Sequence, residues 1–209
     1  MGRGLPPPLG QDELLLIAPP ADVASRFRLP DRVAALFTGD AVEAGLPVVE
    51  RVQGGLAHLK VGEHLVDLYN QQASTVVHLP ALGILCGGLF GSDLLLPRLG
   101  AGSDGTDELE TLRLLARLVR ERKVRLYIPR QGDLASETPA MMERLADDVA
   151  YLHGLRRVIP PAARSGDALP AVLALAETLL PANRRGGAAR AVHAANVHTL
   201  YLLHSGRQN

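Results

Sequence analysis

The hydrophobic pattern of this chain changes period once, near residue 100, and that change limits the folds open to it. Before it, apolar residues come in short runs punctuated by Pro and Gly, the pattern of strands. "ELLLIAPP" (13–20) predicts a buried strand stopped by two prolines, and "RVAALFTG" (32–39) a second. "LAHLKVGEHLVDLY" (56–69) alternates and pivots at Gly62, which predicts a hairpin. "STVVHLPALGILCGGLF" (74–90) predicts two more strands parted by Pro80-Ala81-Leu82-Gly83. Beyond the change the repeat is helical. Thr106 is placed to cap a helix, Asp107, Glu108 and Glu110 fill its first turn, and Leu109, Leu112, Ala116 and Val119 form one stripe. Arg120, Arg122 and Lys123 close that helix where its dipole favours cations.

"VRLYIP" (124–129) predicts one further strand, and Thr138-Pro139 opens a helix whose buried face carries Leu145, Val149 and Leu152. "DALPAVLALAETLL" (167–180) and "AARAVHAANVHTLYLLH" (188–204) predict two more helices. Strands come first and helices gather toward the C-terminus, an α/β or α+β layout. Residues 1–12 read as a flexible Pro/Gly-rich arm, and 13–209 as a single domain with C-terminal helices from about residue 138.

Composition removes several function classes. Lys+Arg and Asp+Glu stand at 22 each, so no global charge draws the chain to nucleic acid or to an anionic membrane. A single cysteine, Cys86, rules out an intrachain disulfide and a multi-thiolate zinc site. No apolar run reaches the ~20 residues of a membrane span. The opening "MGRGLPPPLGQ" lacks the apolar segment of a secretory signal, so a cytoplasmic location is expected.

"GAGSDG" (100–105) matches G-x-G-x-x-G ahead of a helix, which raises dinucleotide binding. Pro97 and Arg98 interrupt the preceding run, and Asp104, Asp107 and Glu108 would repel a pyrophosphate at the helix start. No acidic residue ends the next strand to hold a ribose, and Arg130 stands there instead. A plain Gly-rich turn before a capped helix accounts for the stretch better.

The histidines do not make a site by spacing. His193 and His198 point about 140° apart on their helix, and His193 and His204 stand ~16 Å apart along its axis. His58, His64 and His78 read as ordinary surface or hairpin residues. Ser74, Ser92 and Ser103 read as turn residues, and Gly-x-Ser-x-Gly is absent. Cys86 reads as strand packing rather than a nucleophile. Arg113, Arg117, Arg120 and Arg125, with Arg156, Arg157, Arg184 and Arg185, could line a nucleic-acid patch. Interspersed acids and few aromatics favour a solvated helix face instead.

Several segments, taken in order, resemble the metallo-β-lactamase superfamily. "LPDRVAALFTGDAVEAGLP" is similar to its strand and loop Val-x-Ala-x-x-x-Thr-His-x-His-x-Asp-His-x-Gly-Gly-Leu. "YNQQASTVVHLP" is similar to Thr-Pro-Gly-His-Thr-x-Gly-Ser-Val-Val, and "GILCGGLFGSDLL" to Val-Leu-Phe-x-Gly-Asp-x-Leu-Phe. "PRLGAGSDGTDELETLRLLARL…RLYIPRQGDL" resembles the family's Gly-Arg-x-x-x-Asp…Gly-Asp…Ser-Leu-x-x-Leu helix with its Tyr-Pro-Gly-His-Gly strand end. "VHAANVHTLYLL" resembles the His-x-x-Asn-Val-x-x-x-Tyr helix of some members. The resemblance implies a truncated αββα sandwich with a helical C-terminal part.

Carried across residue by residue, the resemblance also implies an emptied site. The first two metal histidines fall on Gly39 and Ala41, and the Asp-His pair on Glu43 and Ala44. The next histidine falls on Gln71, or Gln72 with a one-residue slip. The bridging aspartate falls on Leu89, with Gly88 the alternative, and the last histidine on Gln131. A catalytic zinc needs three or more His, Asp, Glu or Cys ligands, and these positions offer Glu43 alone. The expectation is therefore a metal-free, cofactor-free, catalytically degenerate protein that serves as a binding or structural module. Its expected partner is an unidentified small molecule or protein, with a homodimer left open, nucleic acid disfavoured and no membrane. The alternatives are a divergent hydrolase rebuilt from Glu43, Asp67, Asp93, Gln71 and Gln131, and Arg-mediated nucleic-acid binding.

Overall fold

The computed structural model describes residues 14–17, 33–38 and 49–51 as strands, and then residues 55–206 except 62, 63 and 72. The expected arm at 1–12 lies outside the described residues. The three early strands, β1 (Leu14–Ile17), β2 (Val33–Thr38) and β3 (Val49–Arg51), form a parallel sheet in the order β1-β2-β3. β3 is an element that the sequence pattern did not announce.

A second, five-stranded sheet follows chain order: β4 (Leu56–Val61), β5 (His64–Asn70), β6 (Thr75–Leu79), β7 (Ile84–Gly88) and β8 (Leu126–Pro129). β4 and β5 form the expected hairpin, and the antiparallel pairing continues through β6 to β7. β8 pairs parallel with β7, and parallel neighbours need a crossover. Helix α1 (Thr106–Glu121) supplies it. The remaining described helices are α2 (Thr138–Arg164), α3 (Leu169–Ala176) with a 3₁₀ turn at Glu177–Leu179, and α4 (Gly187–His204). None of these helices is long and apolar enough to cross a membrane.

One face of the larger sheet, carrying Tyr69, Val76, Leu85 and Tyr127, packs into a single core with the helices. α1 contributes Leu109, Leu112, Leu115 and Val119 to it, and α2 contributes Met141, Leu145, Leu152 and Leu155. Of the stripes read from the sequence, Leu109, Leu112, Val119, Leu145 and Leu152 are buried, and Ala116 and Val149 are partly so. Two termini differ from expectation. Thr106 is the first helical residue rather than the cap, because Gly105 takes the preceding position with φ 88°, and no side chain caps that end. α2 runs through Pro160 and Pro161, which cost two backbone donors, because Ile159, Ala162 and Ala163 remain anchored in the core.

Candidate functional site at the edge of the five-stranded sheet

The sheet pairing decides where the positions named by the resemblance lie. Gly88, the last residue of β7, is level with Pro129, the last residue of β8, and the Arg130 amide donates to the Gly88 carbonyl at 2.8 Å. β6 runs antiparallel to β7, so its first residues stand at that same edge. Gln71 in the β5–β6 turn, Leu89 after β7 and Gln131 after β8 thus share one sheet edge. Gln71 is nevertheless about 10–14 Å from Gln131, two to three strand spacings away. Gly39, Ala41, Glu43, Ala44 and Gln72 lie outside the described residues.

The two loops beyond β7 and β8 hold each other. Ser92, nearly fully buried, donates from its hydroxyl to the Gln131 carbonyl at 2.7 Å and accepts the amides of Leu94 and Leu95. Asp93 accepts the Asp133 amide at 2.9 Å, and Arg144 of α2 lies 3.5 Å from the same carboxylate. Gly132, with φ 101°, fits only as glycine, because a Cβ would stand 2.2 Å from the Asp93 carboxylate. Gly88 is equally constrained: its φ is 61° and a Cβ would meet the Ser74 hydroxyl at 2.5 Å. Ser92, read from the sequence as a turn residue, is the hydrogen-bond centre of this edge.

A zinc ion, the metal the resemblance implies, does not fit the described residues. Leu89 offers no donor and Gln71 and Gln131 offer neutral amides. Among the described residues no three His, Cys, Asp or Glu side chains are grouped to hold a metal. Of the residues of the rebuilt-site alternative, Glu43 lies outside the described residues. Asp67 lies within β5, about 10 Å back from the edge, and is engaged elsewhere.

What engages Asp67 is a row of cross-strand neighbours that the sequence reading did not find. His58, Asp67 and His78 stand side by side on β4, β5 and β6. The His58 Nδ1 is 2.7 Å from one carboxylate oxygen and the His78 Nδ1 is 3.4 Å from the other. His78 is 2% exposed, so its reading as a surface residue is corrected. The pairing that makes it so depends on strand register, which no local spacing reveals.

The glycine loop closes on its own helix. Glu108, buried at the start of α1, accepts the Gly100 amide at 2.9 Å and the Ser103 hydroxyl at 2.6 Å. Asp104 accepts the Thr106 amide, which lowers its pKa. A carboxylate thus sits where a dinucleotide fold would seat its pyrophosphate, and the turn reading is supported.

The arginines divide. Arg184 is no surface residue: it is 1% exposed, paired with Asp148 and donating to the Leu95 carbonyl. Asp148 also accepts the Gly91 amide at 2.7 Å, and its carboxyl is pushed up to about 6 by burial, against the pull of Arg184. Arg156 reaches Asp104 and Thr106, and Arg185 reaches the Leu180 carbonyl. The eight-arginine patch is accordingly not one surface. Burial pushes the Cys86 thiol up, as packing rather than nucleophile chemistry requires.

Behind the edge loop, the C-terminal motif is buried and engaged. Asn196 accepts the Leu99 amide and donates to the Pro97 carbonyl and to Tyr151. The Tyr151 hydroxyl is 3.0 Å from the His193 Nδ1, and Tyr201 donates to the Asp167 carbonyl. His193 and Asn196 therefore tie α4 to α2 and to the loop at 97–99, and Tyr201 ties it to the turn between α2 and α3.

No family model matches the sequence, and no curated protein matches it. Solved structures do. The stereoselective inverting sec-alkylsulfatase Pisa1 from Pseudomonas sp. aligns with TM-score 0.51 and 12% identity over 76% of this chain. The chain spans 27% of that protein's length. A β-lactamase domain protein from Burkholderia ambifaria aligns with TM-score 0.47, 16% identity, 78% of this chain and 46% of its own. A metallo-β-lactamase family protein from Thermus thermophilus gives TM-score 0.46, 18% identity, 76% and 49%. The likeness is one of fold: this is a mixed α/β chain with a five-stranded sheet, similar to metallo-β-lactamase-fold structures.

Proposed function

We propose that this metallo-β-lactamase-fold chain lacks the hydrolase chemistry of the fold's enzymes and acts as a binding or structural module. The observation that carries the reading is the pair of loops beyond β7 and β8. Where the resemblance calls for an aspartate and a histidine aimed at metal, Leu89 and Gln131 stand beside a hydrogen-bonded seam of Ser92, Asp93 and Asp133. Hydrolysis of the family kind needs a water whose pKa is brought near 7 by a metal, and neither a leucine nor a glutamine carbonyl fixes one. The alkylsulfatase activity belongs to a protein of which this chain spans about a quarter.

Elemental analysis of the purified chain after dialysis against a mild chelator tests the reading. Substoichiometric zinc, iron and manganese are expected. One or two ions per chain, removed together with an ester- or lactam-hydrolysing activity, would replace it with the divergent-hydrolase reading.

A further inference from the structure

We propose that the outer face of α1 binds a small molecule carrying a diphosphate-type pair of oxyanions. Arg113, Arg117 and Arg120 line a shallow groove of about 390 Å³ whose other wall includes Gln71 of the β5–β6 turn. The volume is in the range of small-ligand sites, about 300–1,000 Å³. The three arginines recur at i, i+4 and i+7, so they project within about 60° of one another over ~10 Å of helix.

Arg144, Arg156, Arg184 and Arg190 each face a carboxylate. Neither Arg113 nor Arg117 has such a partner among the described residues, and Arg120 contacts only its own helix through the Ala116 carbonyl. Like charges at i, i+4 weaken a helix by a few tenths of a kcal/mol. An anion between them reverses that sign, and guanidinium forks suit tetrahedral oxyanions geometrically.

The ends of the groove set the ligand's size. Glu110 and Glu121 border the arginines on either side along α1. They would repel a phosphate backbone continuing past the groove, while a compact ligand stays within the three positive charges. Among the described residues, no aromatic side chain of the kind on which single-stranded nucleic acid stacks lines it. The inference gives the binding reading a ligand class and rests on that reading only for the chain's role.

The test is calorimetric titration of the EDTA-treated full chain at low salt with inorganic pyrophosphate, orthophosphate, sulfate and a short single-stranded oligonucleotide. Pyrophosphate should bind best and lose affinity with added salt. Arg113→Gln/Arg117→Gln should weaken it on the order of tenfold or more, since two charge-assisted contacts go. Arg157→Gln, an exposed arginine outside the groove, should change nothing. No pyrophosphate binding, binding indifferent to the double variant, or tighter binding of the oligonucleotide would each overturn the proposal. The metal content of the same sample, taken before EDTA, tests the pseudoenzyme reading separately.

Discussion

Tyr127 lies across Gly87 so closely that a Cβ on the glycine would stand 1.7 Å from the phenol oxygen. That approach lets the buried hydroxyl donate to the Phe90 carbonyl at 2.9 Å and so fixes the start of the edge loop against β8. Gly87→Ala should therefore cost about 1–3 kcal/mol through overpacking. Tyr127→Phe should cost about 1–3 kcal/mol by leaving the Phe90 carbonyl unpaired. Urea unfolding measures both. A Gly87→Ala protein as stable as its parent would mean that the ring moves aside freely.

The Asp148–Arg184 pair gives a second prediction. Both side chains are 1% exposed, so removing one partner leaves an unpaired buried charge. Arg184→Met should destabilise by about 3–5 kcal/mol, and Asp148→Asn/Arg184→Met should recover part of that loss. The pH dependence has a definite sign. A carboxyl whose folded pKa is raised contributes stability below its unfolded value near 3.8 and loses it as pH rises through the folded value. Without Arg184 the rise is larger. Arg184→Met should therefore weaken relative to the double variant as pH climbs from acid toward neutral, and a parallel pair of stability curves would contradict this.

His193 should act in the opposite sense. Burial holds its pKa below the ordinary value of 6.5, so the folded state keeps the ring neutral. Its contribution is present above that unfolded value and is lost as pH falls through the depressed one. Asp148 titrates near the same range with the other sign, so wild type alone cannot separate them. The stability difference between wild type and His193→Gln should shrink between about pH 7.5 and about pH 5.5. A constant difference would show that the imidazole titrates as it does in the unfolded chain.

The helical half was more legible in the sequence than these polar groups, and the reason is visible in α2. Leu145 and Leu152 announce a buried stripe, and Asp148 falls on it at i+3 and i−4. A charge on an apolar stripe signals a buried pair, but its partner Arg184 lies 36 positions away and carries no local mark. His193 and Asn196 fall likewise on the stripe of Ala189, Val197 and Leu200. The five strands β4–β8 could be read from alternation, Pro/Gly breaks and the apolar run after α1. Their lateral order could not, and that order creates the His58–Asp67–His78 row and gathers Gln71, Leu89 and Gln131 at one edge. Gly88 and Gly132 are legible as turn residues, and both hold positive φ, against Ser74 and Asp93.

Two substitutions are too few to build a metal site at this edge. Leu89→Asp with Gln131→His returns two ligand types at the loop ends, one short of the three protein ligands a catalytic zinc normally has. The neighbouring carboxylate cannot make up the number without loss. Asp93 already accepts the Asp133 amide and faces Arg144, and turning it toward a metal would break the seam between the loops. Ser92 is committed as well, to the Gln131 carbonyl and to the amides of Leu94 and Leu95. The double variant should therefore retain no stoichiometric zinc after dialysis against a mild chelator, and should hydrolyse a phenyl ester no faster than buffer. Stoichiometric zinc in that variant would place further ligands, Glu43 foremost, at the same edge and make the divergent-hydrolase reading the better one.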